Sequence, residues 1–129
     1  IEAGVDVRLG TDGAASNNGL DMRAEARAAS LIQKHDHWDA TILDPVETWQ
    51  LATRGSSDWV TWDLSDIRMR PRGRGGRRIL PNLIYSGAQC MDVFVDGRAI
   101  RRDGRTLTID EEKVAKDLED AAQEYYSEI

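Results

Sequence analysis

Residues 4–34 show a strand pattern, a loop pattern and a helix pattern in that order, and this order restricts the fold more than any other feature of the chain. Residues 4–10 alternate apolar and polar side chains and are rich in valine, which predicts a strand. Residues 11–19 are small or polar, and residues 20–34 carry apolar side chains at helical spacing without a Gly or Pro. Strand, loop and helix form one β/α unit, and α/β proteins usually place their chemistry in such a loop.

Capping and turn signals divide the rest of the chain. Asp44 at an N-cap position, followed by Pro45, predicts a helix over residues 44–53. Asp96-Gly97 predicts a β-hairpin, because Asp-Gly accepts the positive φ angles of a tight turn. Further expected elements are a strand at 58–64, a second Asp-Gly turn at 103–104, and a helix from Asp110 to about residue 127.

Composition excludes several classes of protein. The 129 residues, 40% hydrophobic and 31% charged, fit one globular domain or a piece of a larger protein. No apolar run approaches the roughly 20 residues that cross a bilayer, so we expect no membrane span. The net charge of −6 disfavours nucleic acid and anionic membranes as partners. Cys90, the only cysteine, cannot form an internal disulfide, which favours the cytoplasm. Because the chain starts at Ile1 without a Met, we expect a processed or truncated product.

The residues from Gly10 to Asn18, with Leu20-Asp21-Met22 and Gln33-Lys34, resemble the end of the catalytic barrel in the amidohydrolase superfamily. The resemblance is to the branch of 5′-methylthioadenosine/S-adenosylhomocysteine deaminases and related chlorohydrolases. The later segments also resemble this branch, as the helix that follows the barrel and as strands of the flanking β-sandwich: residues 44–53, 60–64, 83–86 and 93–98.

This resemblance implies an α/β fold, made of the last β/α unit of a (β/α)8 barrel, part of the C-terminal β-sandwich and a C-terminal helix. Residues 1–56 would hold the barrel strand, the active-site loop and two helices. Residues 57–109 would hold the sandwich strands, with an Arg/Gly loop at 66–78, and residues 110–129 the helix. The family's His-x-His, its further histidines and its catalytic glutamate lie N-terminal to the matched part. A barrel needs about 250 residues. We therefore expect a C-terminal fragment that is inactive alone.

The resemblance also implies a chemistry for the parent enzyme. It is hydrolytic deamination of an adenine-type nucleoside, of the methylthioadenosine/S-adenosylhomocysteine class, or a related C–N or C–Cl hydrolysis on a ring. A divalent metal, zinc or similar, would assist, and we expect this chain alone not to retain it. Asp12 matches the family aspartate that contacts the metal and handles a proton of the attacking water, as a carboxylate can. The expected partners are a small-molecule substrate and further copies of the chain.

Each singled-out residue also has a plainer interpretation. Asp12 could cap backbone amides in a Thr-Asp-Gly turn. Ser16 and Asn17 could line a substrate pocket or cap the helix that begins near Leu20. His35-Asp36-His37 follows a helix, and we expect exposed residues there rather than a metal site.

The six arginines of residues 66–78 could bind phosphate, although a solvated loop is the expected state. The alternative function for the whole chain is a non-catalytic remnant, or a self-associating domain that lacks the metal ligands.

Overall fold

Three helices form the first of two structural units, namely α1 (Met22–Asp36), α2 (Pro45–Thr53) and α3 (Ile79–Tyr85). The structure is a computed structural model that describes residues 3–55 and 57–127. Within these, the first unit comprises residues 3–55 and 64–88, and the second comprises residues 57–63 and 89–127. Taken together, the elements make an α/β chain, as predicted.

Both helices expected in the first 55 residues are confirmed. Helix α1 begins after Asp21, whose side chain accepts hydrogen bonds from the backbone N–H groups of Arg23 and Ala24. Helix α2 begins with a capping box. The Asp44 carboxylate accepts from the Glu47 amide at 2.9 Å, and the Glu47 carboxylate accepts from the Asp44 amide at 3.2 Å. Local sequence therefore sets where these helices start.

The core of the first unit lies where the three helices meet. Helix α3 contacts both α1 and α2 and supplies two of the buried apolar side chains. The apolar side chains buried in this unit are Ala26, Leu51, Met69, Leu83 and Ile84.

Two strand predictions are wrong. Residues 83–86 do not form a sandwich strand, because Leu83 and Ile84 lie in helix α3 and turn into the core of the first unit. Residues 4–10 have no regular strand, since among the described residues no neighbouring strand pairs with them. One backbone hydrogen bond ties this extended segment to α2, from the Leu9 amide to the Leu51 carbonyl at 3.0 Å.

The Arg/Gly loop at 66–78 is a defined structure in the first unit. It contains two short turns, Ile67–Met69 and Arg74–Gly76. The Asp66 side chain accepts from the Arg68 amide at 2.9 Å and so caps the first turn. The residues up to 88 group with the helices and not with the sheet, because Met69 and α3 are part of the helical core.

The second unit contains a four-stranded antiparallel sheet in the order β1 (Trp59–Trp62), β2 (Cys90–Val95), β3 (Arg98–Arg102) and β4 (Arg105–Thr106). Both Asp-Gly turns are confirmed. Asp96 and Gly97 have φ angles of 49° and 75°, and Asp103 and Gly104 have 47° and 76°. These are the left-handed conformations that tight hairpins require.

The final helix is confirmed as α4 (Glu111–Ser127), with an Asp110 side chain that accepts from the Lys113 amide at 3.1 Å. None of its residues is buried, and its exposed apolar side chains include Val114, Leu118 and Tyr125. None of the helices in the described ranges has the length and apolar character that a membrane span needs.

Candidate active-site loop

Asp12 is the second residue of the loop that follows residues 4–10. Its φ angle is 59°, in the left-handed region that aspartate tolerates better than most residues. One carboxylate oxygen, Oδ1, accepts from the Gly13 amide at 2.6 Å. The side chain is exposed, so the other carboxylate oxygen is accessible from solvent. Asp12 therefore does cap a backbone amide in the Thr-Asp-Gly turn, and the carboxylate stays available for other contacts.

Ion pairs fix the extended segment that carries Asp12. The Asp6 carboxylate binds Arg8 at 2.9 Å and Arg54 at 3.0 Å, and Arg54 lies directly after helix α2. These two guanidinium groups lower the pKa of Asp6 below its ordinary value of 3.8. Together with the bond from Leu9 to Leu51, this contact fastens residues 6–9 alongside α2.

Asn17 connects the loop to helix α1. Its side-chain amide donates to the Thr11 carbonyl at 3.1 Å and to the Glu25 carboxylate at 2.8 Å. Its side-chain oxygen accepts from the Gly19 amide at 3.3 Å. The side chain is therefore bound both by the loop and by helix α1. Glu25 was not among the predicted site residues, because an eight-residue separation between a loop and a helix follows no local pairing rule.

Ser16 is placed differently from Asn17. Its amide donates to the Gly13 carbonyl at 2.9 Å, and its side chain is exposed. Neither residue caps α1, because Asp21 occupies the N-cap. Asp12, Ser16 and Asn17 thus share one loop. Their roles in catalysis, metal binding and substrate binding stay predictions.

An open groove of about 920 Å³ runs along the helices of the first unit. Its lining is mostly apolar and comes from residues 3–10, from α1, from α2 and from the connection between these helices. It includes Val7, Leu9, Ile32, Ile42, Leu43 and Leu51. Asp12, Ser16 and Asn17 do not line it. The groove and the candidate loop are therefore separate features of this unit.

The two histidines lie at the carboxyl end of α1, and both are exposed, as expected. The His35 ring lies 5.7 Å from the Trp38 ring, and His37 Nε2 lies 3.8 Å from an Asp36 carboxylate oxygen. Among residues 3–55 and 57–127, no group of three or more His, Cys, Asp or Glu side chains is placed to hold a metal ion. A catalytic zinc takes three protein ligands, so these residues do not form a zinc site by themselves.

Cys90 in β2 is partly buried, and this burial raises the pKa of its thiol. The sulfur lies 4.0 Å from the Asp92 carbonyl oxygen. A thiol held in its neutral form is a poor nucleophile, so these contacts favour a structural role for Cys90.

No protein-family model matches the chain. It is 37% identical over 131 residues to a 5-methylthioadenosine/S-adenosylhomocysteine deaminase of Bacillus cytotoxicus, a match that covers 88% of this chain and 30% of that protein. The enzyme of the same name from Bacillus thuringiensis strain Al Hakam is 37% identical over 134 residues, with the same coverage.

A solved structure resembles the chain as well. It is the crystal structure of an adenosine deaminase from Xanthomonas campestris with bound zinc, at 28% identity and a TM-score of 0.83. That match covers 98% of this chain and 32% of the deaminase.

The chain is therefore similar to one part of the deaminases of the amidohydrolase class. More closely, the chain belongs with the 5-methylthioadenosine/S-adenosylhomocysteine deaminases and corresponds to a C-terminal part of them. It spans about 30% of the length of the curated relatives that it matches.

Proposed function

We propose that this chain supplies the end of the catalytic barrel of a metal-dependent hydrolase that deaminates an adenine-type nucleoside. The substrate class is methylthioadenosine or S-adenosylhomocysteine, or a related ring on which a C–N or C–Cl bond is hydrolysed. The observation that carries the proposal is the position of Asp12, at the end of an extended segment and ahead of helix α1, in a chain with 37% identity to such deaminases. A cytoplasmic location is part of the same proposal.

Zinc is the metal named for the similar adenosine deaminase. The described residues do not fit it alone, because Asp12 is a single carboxylate and no cluster of ligands accompanies it. In the proposed enzyme, Asp12 is one ligand, and the others come from outside these residues. The chain by itself is then expected to retain no metal and to release no ammonia.

The residues of the chain have distinct tasks in this proposal. The hydrogen bond from the Gly13 amide fixes one oxygen of the Asp12 carboxylate, which leaves the second oxygen to accept a proton. Asn17 and Glu25 hold the loop against α1, so that Asp12 keeps its position. Ser16 is the exposed polar side chain of the loop, and we propose that it contacts the substrate.

A chimeric enzyme tests the proposal. The segment of the Bacillus cytotoxicus deaminase that matches this chain is replaced by the chain itself. We expect a folded protein that binds stoichiometric zinc and releases ammonia from methylthioadenosine, S-adenosylhomocysteine or adenosine. In the chimera, Asp12→Asn should lower kcat/KM by about 10²–10⁴-fold, the usual contribution of a positioned proton acceptor. Asparagine tolerates the positive φ angle and can still accept from Gly13.

The matched control is Asp36→Asn, which changes an exposed acid at the carboxyl end of α1 and should leave kcat/KM unchanged. A folded, zinc-loaded chimera that keeps full activity with Asp12→Asn would contradict the assignment of Asp12. A folded, zinc-loaded chimera with no activity on any of the three nucleosides would contradict the deaminase itself.

The second candidate function is a self-associating domain without catalysis. The apolar groove favours it, because Val7, Ile32 and Leu43 leave uncovered apolar surface that a second copy could bury. Analytical ultracentrifugation of the chain tests this candidate. Concentration-dependent dimers that Ile32→Glu disrupts would support it, and a monomer at high concentration would contradict it.

A further inference from the structure

Four arginine side chains of the Arg/Gly loop have no hydrogen-bond or ion-pair partner in the part of the chain that the structure describes. They are Arg70, Arg74, Arg77 and Arg78, and all four are exposed. The other two arginines of the loop are engaged. Arg68 pairs with Asp66 at 2.6 Å, and Arg72 donates to the Leu64 carbonyl at 2.6 Å. The loop therefore presents four uncompensated positive charges.

Three of these arginines come from one closed segment. The Arg78 amide donates to the Arg72 carbonyl at 2.9 Å, which closes residues 72–78 into a compact loop. Within it, the Gly76 amide donates to the Gly73 carbonyl at 3.4 Å. Arg74, Arg77 and Arg78 are consequently held within a few residues of one another on a folded backbone.

Contacts from outside the loop fix this backbone. The Asn82 side chain of α3 is buried and donates to the Pro71 carbonyl at 3.0 Å. Gly73 has a φ angle of 71°, and a Cβ at this position would lie 2.7 Å from the Cγ of Arg78, so the aliphatic part of Arg78 lies directly against the glycine. An ordered backbone lowers the entropy that the loop would lose when a ligand binds.

The charge of this loop contrasts with that of the chain. Residues 67–85 contain six arginines and no acidic residue, whereas the whole chain has a net charge of −6. Asp66, the nearest acid, is paired with Arg68. A local field depends on such neighbours and not on the net charge, so this surface attracts anions although the protein is acidic.

We propose that the Arg/Gly loop is a binding site for a compact di- or triphosphate group, with Arg74, Arg77 and Arg78 as its principal ligands. Guanidinium groups bind phosphate through paired, charge-assisted hydrogen bonds. The group could be inorganic or part of a nucleotide. The proposal concerns binding alone and does not depend on the deaminase function.

Two observations favour a compact anion over nucleic acid. Single-stranded nucleic acid is usually bound by aromatic side chains on which bases stack, and residues 66–84 contain no aromatic residue. A nucleic-acid backbone is also usually bound by positive charges spread along a groove. These arginines instead belong to one loop of seven residues that is closed by a single hydrogen bond.

Isothermal titration of the full chain with inorganic tripolyphosphate tests the site, with pyrophosphate, ATP and orthophosphate as parallel ligands. We expect tripolyphosphate to bind at least tenfold more tightly than orthophosphate, and its affinity to fall as salt rises. ATP binding with tripolyphosphate-like affinity identifies the shared triphosphate as the recognised group. The variant Arg74→Gln/Arg77→Gln/Arg78→Gln should lose at least tenfold in affinity. Arg72 is left unchanged because its side chain holds the loop to Leu64.

The matched control is Arg27→Gln/Arg98→Gln/Arg105→Gln, which removes three exposed arginines elsewhere and should bind tripolyphosphate as the unchanged chain does. Thermal unfolding verifies that each variant is folded. If the triple variant is not folded, Arg74→Gln/Arg77→Gln keeps the contact of Arg78 with Gly73 and should still lose several-fold in affinity.

Three results would overturn the proposal. The first is equal affinity for tripolyphosphate and orthophosphate, and the second is an equal loss of affinity in the control variant. The third is binding of RNA, or of vesicles of anionic lipid, that requires the same arginines and is not reversed by excess tripolyphosphate. Such a result would assign the surface to a polymer or a membrane.

Discussion

The Ser30 hydroxyl lies 2.8 Å from the Tyr85 hydroxyl and joins helices α1 and α3 inside the first unit. Ser30 is fully buried, and its oxygen also lies 3.0 Å from the Leu43 carbonyl, to which it donates its one proton. Tyr85 must therefore be the donor to Ser30. The Leu43 carbonyl also accepts from the Lys34 ammonium group at 2.9 Å. The Thr48 hydroxyl lies 2.9 Å from the same oxygen and 2.7 Å from the Asp44 carbonyl oxygen. One backbone oxygen thus gathers side chains of two helices.

Removal of this hydroxyl pair should destabilise the first unit. We expect Ser30→Ala to lower the free energy of unfolding by about 1–3 kcal/mol and Tyr85→Phe by about 1 kcal/mol, because buried polar groups lose their partners. The two changes together should cost less than their sum, since they remove one shared bond. Urea unfolding measures both, with the exposed Tyr125→Phe as control. A strictly additive double variant would contradict the bond.

The capping box of α2 predicts a second loss of stability. Asp44→Ala removes the acceptor for the Val46 and Glu47 amides, at 2.8 and 2.9 Å, and should cost about 1 kcal/mol. Asp44→Asn keeps an acceptor at the N-cap and should cost less. Circular dichroism melting compares the two variants. An equal loss in both would show that the charge matters rather than the cap.

The features that the sequence predicted are local, and those that it missed depend on contacts between distant residues. The capping box at Asp44 and the turns at Asp96-Gly97 and Asp103-Gly104 follow from residues within four positions of one another, and all three are present. The contact between Ser30 and Tyr85 spans 55 positions, and no local rule encodes it. Helix α3 likewise packs against α1 and α2, which are distant from it in the sequence.

Residues 83–86 illustrate this point. A short apolar run fits a buried strand as well as a buried helix, and its tertiary neighbours decide between them. Here α1 and α2 offer a helical surface, so α3 forms. Residues 4–10 show the opposite case, because an alternating pattern becomes a strand only beside a partner. At the candidate site, the motif at residues 10–18 was sufficient to single out Asp12. The hydrogen bond between Asn17 and Glu25 could be recognised only in the folded structure.

Metal binding provides a third prediction. Because the described residues hold no cluster of ligands, stoichiometric zinc followed by EDTA should change the melting temperature of the chain alone by less than about 1 °C. His35→Ala/His37→Ala should behave identically. Zinc that stays bound through dialysis, and is lost with this histidine variant, would identify the end of α1 as a metal site and contradict the expectation that these histidines bind no metal.

Asp92 makes the sheet sensitive to acid. Its carboxylate accepts from the Asp103 amide at 3.0 Å and from the Thr61 hydroxyl at 2.7 Å, and these bonds lower the pKa of Asp92 below 3.8. A lowered pKa means that the stabilisation is complete above pH 3.8 and is lost as the pH falls through the lower, folded-state pKa. Melting near pH 5 and near pH 3 should therefore show a smaller acid-induced loss in Asp92→Asn than in the unchanged chain. Asp36→Asn is the control and should lose as much stability as the unchanged chain does.

The turn between β2 and β3 allows the free-energy cost of a positive φ angle to be measured without a steric clash. Gly97 has a φ angle of 75°, and a Cβ built there meets no atom within 4 Å, so Gly97→Ala adds strain without a clash. We expect it to lower the free energy of unfolding by about 1–2 kcal/mol, the cost of a left-handed non-glycine residue. Gly19→Ala is the matched control, because Gly19 also has open space around its Cβ position but no positive φ angle. That change should be neutral or slightly stabilising, since alanine restricts the unfolded chain. Equal effects of the two substitutions in urea unfolding would show that the turn does not require the left-handed angle.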